Sequence, residues 1–166
     1  MQINASKKDK SLIISAITLF LLTFMSISAV VAAAEDSELT DFRSQIRTLY
    51  DMKEAAFAAN DPEPILTRFY HSEVISTGPD GATHEGIEGL GPIYNEVIAG
   101  DVRIESYSTF VKGDAGWDWV NFHVSFPPDA EMEPFTFKML FLWERIDGEW
   151  WSHGEMYVLG EFDIRQ

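Results

Sequence analysis

Asp118 is the residue whose placement most invites chemistry. It continues the alternation Val124, Phe122, Val120 within a strand-like run from Trp117 to Phe126. If that strand pairs simply with the next, Asp118 shares a covered face with Phe137, Met139, Phe141 and Trp143. Desolvation there raises a carboxyl pKa and makes a general acid or base. The alternative is a solvated strand end, or a pair with Arg145. His123 and Asn121 fall on the opposite alternation, with Trp117 and Trp119. A one-residue slip, or a bulge in the loop after Phe126, turns them inward and makes His123 the base. Otherwise they lie on an outer face beside Leu140 and His153. Two short pairs, His71-x-Glu73 and His153-x-Glu155, have metal-ligand spacing, but no third ligand is fixed by sequence, so no metal is expected.

Other chemistries lack their residues. The chain has no cysteine, which removes disulfides and thiolate catalysis. There is no nucleophile elbow, and the glycines from Gly86 to Gly91 lack the strand and spacing of a dinucleotide site. No cofactor is expected. The formal charge of −15 becomes −17 without the N-terminal segment's three Lys and one Asp. Such a field repels nucleic acid and disfavours anionic ligands. Neutral or cationic small molecules, largely hydrophobic, fit better.

The elements that must position these residues are legible. Leu39, Phe42, Ile46, Leu49, Ala56 and Phe57 recur at helical spacing up to Asn60. Asp61-Pro62 opens a second, short helix carrying Ile65, Leu66 and Phe69. Val74 to Thr77 and Ala82 to Glu85 flank the turn cluster Gly78-Pro79-Asp80-Gly81, and a third helix follows from about Ile87 to Ile98, weakened by Gly89, Gly91 and Pro92. Long strands then run over Val102 to Lys112, Trp117 to Phe126, Phe135 to Ile146 and Glu149 to Gly160. Helices first and a four-strand antiparallel meander last make an α+β layout.

The closing hairpin turns at Asp147-Gly148, a type I′ signal. A two-residue loop sets Trp143 opposite Ser152, Phe141 opposite Gly154, Met139 opposite Met156 and Phe137 opposite Val158. Large rings then face small residues and leave room for a ligand. The other face pairs Lys138 with Tyr157, Leu140 with Glu155, Leu142 with His153 and Glu144 with Trp151. Its apolar content (Trp151, Leu142, Leu140, Tyr157) suggests a homodimer through the outer sheet face.

At the N-terminus, Lys7, Lys8 and Lys10 precede an apolar run from Leu12 to about Ala34 that ends in Ala32-Ala33-Ala34. This is the pattern of a secretory signal peptide, cut after Ala34; an uncleaved anchor is the alternative. The division is residues 1–34 as leader and 35–166 as one domain, periplasmic or secreted, with no stable membrane association once the leader is gone. About 130 residues rich in Trp, Phe and Tyr suffice for a core without disulfides.

The element order, with Phe69-Tyr70, Gly78-Pro79-Asp80-Gly81, Gly86 and Asp147-Gly148-x-Trp150, resembles the SnoaL-like and ketosteroid-isomerase-like proteins of the nuclear-transport-factor-2-like superfamily over roughly Leu39 to Phe162. The resemblance implies a cone-shaped fold, with N-terminal helices wrapped by a curved, mainly antiparallel sheet and an apolar pocket at the open end. It places His84 at the pocket mouth. The expected pocket comprises Tyr50, Tyr70, His84, Tyr94, Val120, Phe122, Met139, Phe141, Trp143, Ser152, Gly154 and Met156. The isomerases' catalytic positions are vacant: Gly78 stands where their base precedes the proline, Met52-Lys53 offers no Tyr, and Leu140 to Leu142 hold no acid. The leading expectation is therefore an exported small-molecule-binding domain. Two alternatives stand beside it: an isomerase, lyase or cyclase using Asp118 or His123, and a structural dimer with a vestigial pocket.

Overall fold

The computed structural model describes residues 34–128, 130 and 132–164. All of the expected leader except Ala34 lies outside the described residues. Residues 34–58 are helical (α1), and from Leu39 onward they belong to the compact unit Leu39–Gln166. Among the described residues no helix is long and apolar enough to cross a membrane.

The apolar spacing read along α1 is the spacing that is buried: Phe42, Ile46, Leu49, Ala56 and Phe57 all lie in the core. Asn60, at φ 52°, ends the helix in the left-handed region, and the Asp61 amide reaches back to the Ala56 carbonyl. The Asp61 side chain accepts from the Glu63 amide at 3.1 Å, and Ile65–Phe69 then forms one wide π-helical turn. It is followed by β1 (Tyr70–Thr77), β2 (Thr83–Glu85), α2 (Gly86–Val97), β3 (Asp101–Lys112), β4 (Ala115–Ser125), β5 (Phe135–Ile146) and β6 (Glu149–Leu159). Gly86, at φ +67°, takes the conformation a side chain resists, just where strand becomes helix.

The sheet order among the described residues is β2-β1-β6-β5-β4-β3. β3 to β6 form the expected antiparallel meander, and β1 joins it in parallel beside β6. The unit is the α+β cone of the nuclear-transport-factor-2-like fold, its helices held against one sheet face by a core of interlocked rings. Phe69, for example, packs on Tyr70, Phe141 and Trp143 at centroid separations of 4.9, 5.3 and 5.2 Å. Burying each such side chain contributes about 1.5–3 kcal/mol, which compensates for the absence of disulfides.

The β4–β5 register agrees with simple pairing: Phe122 opposes Phe137, Val120 opposes Met139 and Asp118 opposes Phe141. No slip occurs, so His123 and Asn121 stay on the outer side. The β5–β6 hairpin corrects the sequence expectation. Its turn is as read, with Asp147 at φ 52° and Gly148 at 85°, and Trp143 faces Ser152. Beyond that pair the register shifts by one, so that Leu142 opposes Gly154, Phe141 opposes Glu155 and Met139 opposes Tyr157. His153 is the extra residue of a bulge. A one-residue insertion exchanges the two faces of everything after it. Gly154 and Met156, expected inside, therefore face outward. A Cβ on Gly154 would meet Leu142 Cδ1 at 3.2 Å, and Met156 is 54% exposed. Glu155 and Tyr157, expected outside, turn in. Phe141 and Gly154 thus point to opposite sides of the sheet.

Candidate functional site

A cavity of about 520 Å³ opens between α2 and the concave sheet face. Phe57 of α1, Leu90, Ile93 and Val97 of α2, and Phe122, Val124, Phe137 and Met139 of the sheet supply apolar walls. Phe126, Phe135 and Met132 continue this lining in and beside the β4–β5 loop. Its polar groups come from Ser76 of β1, His84 of β2, Tyr94 and Glu96 of α2, and Glu155 and Tyr157 of β6.

Glu155 is the centre of that polar set. It is 6% exposed; its Oε1 accepts from Ser76 Oγ at 2.7 Å and its Oε2 from the Tyr70 hydroxyl. Tyr70 has one proton to give, and a carboxylate can only accept it. The Tyr94 hydroxyl, 2.6 Å away, therefore donates to Tyr70, as does Lys53 Nζ at 2.5 Å. Lys53 is fully buried, 3.9 Å from Glu155 Oε2, with its ammonium 4.2 Å from the Phe69 ring centroid and 4.9 Å from that of Phe141. Burial pulls the Lys53 pKa down to about 7, against the opposing pull of the Glu155 charge. Burial, reinforced by the same carboxylate, pushes the Tyr70 and Tyr94 hydroxyls well above 10. The arrangement is an acid facing an apolar cavity, backed by an amine that near neutral pH is poised between its charged and neutral forms.

Of the expected pocket residues, His84, Tyr94, Phe122 and Met139 line the cavity. Tyr50, Tyr70, Val120, Phe141, Trp143 and Ser152 are buried but lie outside the cavity lining, because rings from α1 and the π-helical turn fill the space over them. Gly154 and Met156 are excluded by the bulge.

Asp118 is on the covered face, fully buried, and satisfied. It accepts hydrogen bonds from Tyr50 OH at 3.0 Å, Ser106 Oγ at 2.6 Å and Thr109 Oγ1 at 2.8 Å. A bulge at Tyr107 in β3 brings both hydroxyls to the same side. Burial raises the Asp118 pKa while the three donors oppose the rise. The group is sealed away from the cavity, and Arg145 pairs with Asp114 instead. His123 contacts Thr136 Oγ1 through Nδ1 at 2.9 Å on the outer face. Asn121 there clamps the C-terminal segment, receiving the Phe162 amide at 2.7 Å and donating to its carbonyl at 3.0 Å.

The family profile described as SnoaL-like domain matches residues 46–153. The chain belongs to the SnoaL-like domain family. Solved structures share the fold of this SnoaL-like domain. A nuclear-transport-factor-2-like protein from Cytophaga hutchinsonii aligns with a TM-score of 0.58 at 21% identity, covering 71% of this chain and 98% of that one. A ketosteroid-isomerase-like protein from Erwinia carotovora atroseptica gives 0.59 at 16%, covering 72% and 96%. A cystatin-like-fold protein from Nostoc punctiforme gives 0.61 at 15%, covering 71% and 90%. No curated protein matches the chain.

In this SnoaL-like domain the buried acid facing the cavity comes from β6, and a lysine stands on α1 in the region where the related isomerases carry a tyrosine. Both had sequence signals. Ile46, Tyr50, Lys53 and Phe57 form one stripe at steps of four, three and four, so Lys53 sits mid-stripe on the buried face. Gly154 is an isolated glycine inside a strand, which is a bulge signal. Reading it as one exposes Glu155 to the cavity.

Proposed function

We propose that this SnoaL-like domain is an exported binding domain for one small molecule, apolar along most of its length and ending in a neutral or cationic hydrogen-bond donor that meets Glu155. The observation that carries this reading is the convergence of apolar walls on one buried acid, Glu155, in a cavity of about 520 Å³ whose other acid, Glu96, is exposed, a size ordinary for small-molecule sites. The charge of −15 supports the exclusion of anions and of nucleic acid. Export rests on the Lys-rich start, apolar run and Ala-x-Ala site, and removal of that leader leaves no stable membrane association. The test uses matched probes, a phenylalkyl amine and the phenylalkyl carboxylate of equal length, with binding followed by calorimetry. The amine should bind at least tenfold more tightly, Glu155→Gln should erase that preference, and Met139→Trp should block both by filling the cavity. Equal affinity for the two probes, or a preference that survives Glu155→Gln, refutes the reading.

The homodimer through the outer sheet face belongs to the same proposal. Leu142, Met156 and Val158 are 47, 54 and 50% exposed, and Leu142 opposes the half-open ring of Trp117. Tyr157, expected on that face, is in the cavity instead. Sedimentation at micromolar concentration should report twice the chain mass, falling to the single mass in Leu142→Glu; a single mass for the parent chain rejects the dimer.

A second reading, proton transfer of the isomerase or lyase kind, is favoured by one observation. Lys53, Tyr70 and Glu155 form a continuous hydrogen-bonded chain ending at the cavity. On this reading Glu155, not Asp118 or His123, carries the proton. Turnover that disappears in Glu155→Gln and persists in Asp118→Asn would favour it over simple binding.

A further inference from the structure

The bulge that turns Glu155 inward also gathers a group of side chains on the other side of the sheet. β1 pairs Tyr70 with Ser152 and then Ile75 with Gly154, so four residues of β1 stand against His153 alone. That irregularity brings together one ligand atom each from His71, Glu73 and His153, all within 4.8 Å of one another. The two imidazole rings lie 4.5 Å apart between centroids. His71 and His153 are half-buried and Glu73 is exposed, so the cluster is open to solvent while its histidines are held.

We propose that His71, Glu73 and His153 bind a divalent transition-metal ion, with Zn²⁺ the best match to two imidazoles and one carboxylate. The pairing around His153 supports this. Its Nδ1 lies 2.5 Å from Glu144 Oε2 across the hairpin. A carboxylate accepts, so in the neutral ring this contact sets the proton on Nδ1 and leaves Nε2 with the lone pair a metal needs. A carboxylate behind a ligating histidine is the usual arrangement for fixing its ring and raising its basicity. At the His71 ring, Nδ1 accepts a long bond from the Glu73 amide at 3.3 Å, which is readily exchanged for an ion. Glu73 and Glu144 together supply two negative charges to balance the ion. Three protein ligands leave the fourth tetrahedral position to water or to a further donor. Glu155, the other half of the pair His153-x-Glu155, takes no part, because the bulge sends it to the cavity.

The test titrates the full chain with Zn²⁺ by calorimetry and with Co²⁺ by visible absorption. One ion per chain is expected, with the intense Co²⁺ bands of tetrahedral coordination. His71→Ala and His153→Ala should each weaken Zn²⁺ binding at least tenfold. Glu144→Gln, which removes the carboxylate behind the ligand, should weaken it about tenfold. His123→Ala, elsewhere on the outer face, should leave it unchanged. His153→Gln keeps the bulge's bulk and checks that any loss is not unfolding; unchanged circular dichroism with lost affinity supports the site. Absence of Zn²⁺ uptake at concentrations on the order of 100 micromolar, equal affinity in the His71→Ala and His153→Ala variants and the parent, or equal loss in His123→Ala overturns the proposal.

Discussion

Replacing Lys53 by Met tests how the buried polar centre is built. In the unfolded chain a lysine has its ordinary pKa of 10.5; in the fold burial lowers it to about 7. Between those values the unfolded chain holds the proton and the native one does not, so stability rises with pH across that window. Below about 7 both states are protonated, and the full penalty of burying the ammonium is present. The lowering of three to four pH units corresponds to about 5 kcal/mol over the whole window. From pH 7.5 to 9.5, where urea unfolding is practical, the gain from this one group is about 2 to 3 kcal/mol. Lys53→Met has no such group, while the exposed lysines that both chains share cancel in the comparison. The unfolding free energy of the parent minus that of Lys53→Met should therefore grow by about 2 to 3 kcal/mol between those pH values. Parallel profiles would mean that Lys53 enters the fold without losing its proton, and the reasoning about its desolvation would be wrong.

Two further outcomes come from the packing. Asp118→Asn places an amide among three hydroxyl donors, from Tyr50, Ser106 and Thr109; urea unfolding should show a loss of about 2–3 kcal/mol, with amine-probe binding unchanged because the residue does not reach the cavity. A loss of probe binding in a folded Asp118→Asn protein would contradict that separation. Gly116→Ala should destabilise by about 1–3 kcal/mol, since a Cβ there meets the Phe110 carbonyl at 2.8 Å and Phe42 Cζ at 2.9 Å; a thermal midpoint equal to the parent's would count against so close an approach of α1 to β4.

The architecture was readable because its signals are local and redundant. The α1 stripe is set by side chains three and four apart, and the Asp147-Gly148 and Gly113-Asp114 turns by residues that tolerate or adopt positive φ. The β4–β5 register stayed open in the sequence, because both alternations carry large apolar residues, Val120, Phe122 and Val124 on one and Trp117 and Trp119 on the other; the pairing of Phe122 with Phe137 decides it. The site was harder to read because it depends on a register change within one strand. Pairwise alternation carried past Ser152 gives a face of Gly154, Met156 and Val158, which is chemically plausible and structurally wrong. Whether Tyr50 and Trp143 line a hollow or fill it depends on ring packing between distant elements, such as the 5.8 Å contact between those two rings. Helical or strand period cannot report that.

The bulge at His153 is also where the chain gives up stability. Without it β6 would bury Met156 and Val158, and leave Glu155 and Tyr157 to solvent, which hydrophobic transfer favours by a few kcal/mol on the order of 1.5–3 per side chain. The fold instead buries a carboxylate, and a buried carboxylate left alone costs far more than that. It becomes tolerable only because elements far apart in sequence converge on it: Ser76 from β1, Tyr70 at the start of β1 and, through Tyr70, Lys53 from α1 and Tyr94 from α2. Two donors on one acid and two more behind Tyr70, at the place where β6 departs from simple pairing, are poorly explained by stability, since an apolar core was available from the same sequence. Local rules broken at a cost are what a functional site produces. Glu155 and the residues that hold it, rather than Asp118 or His123, therefore have the arrangement of a functional group.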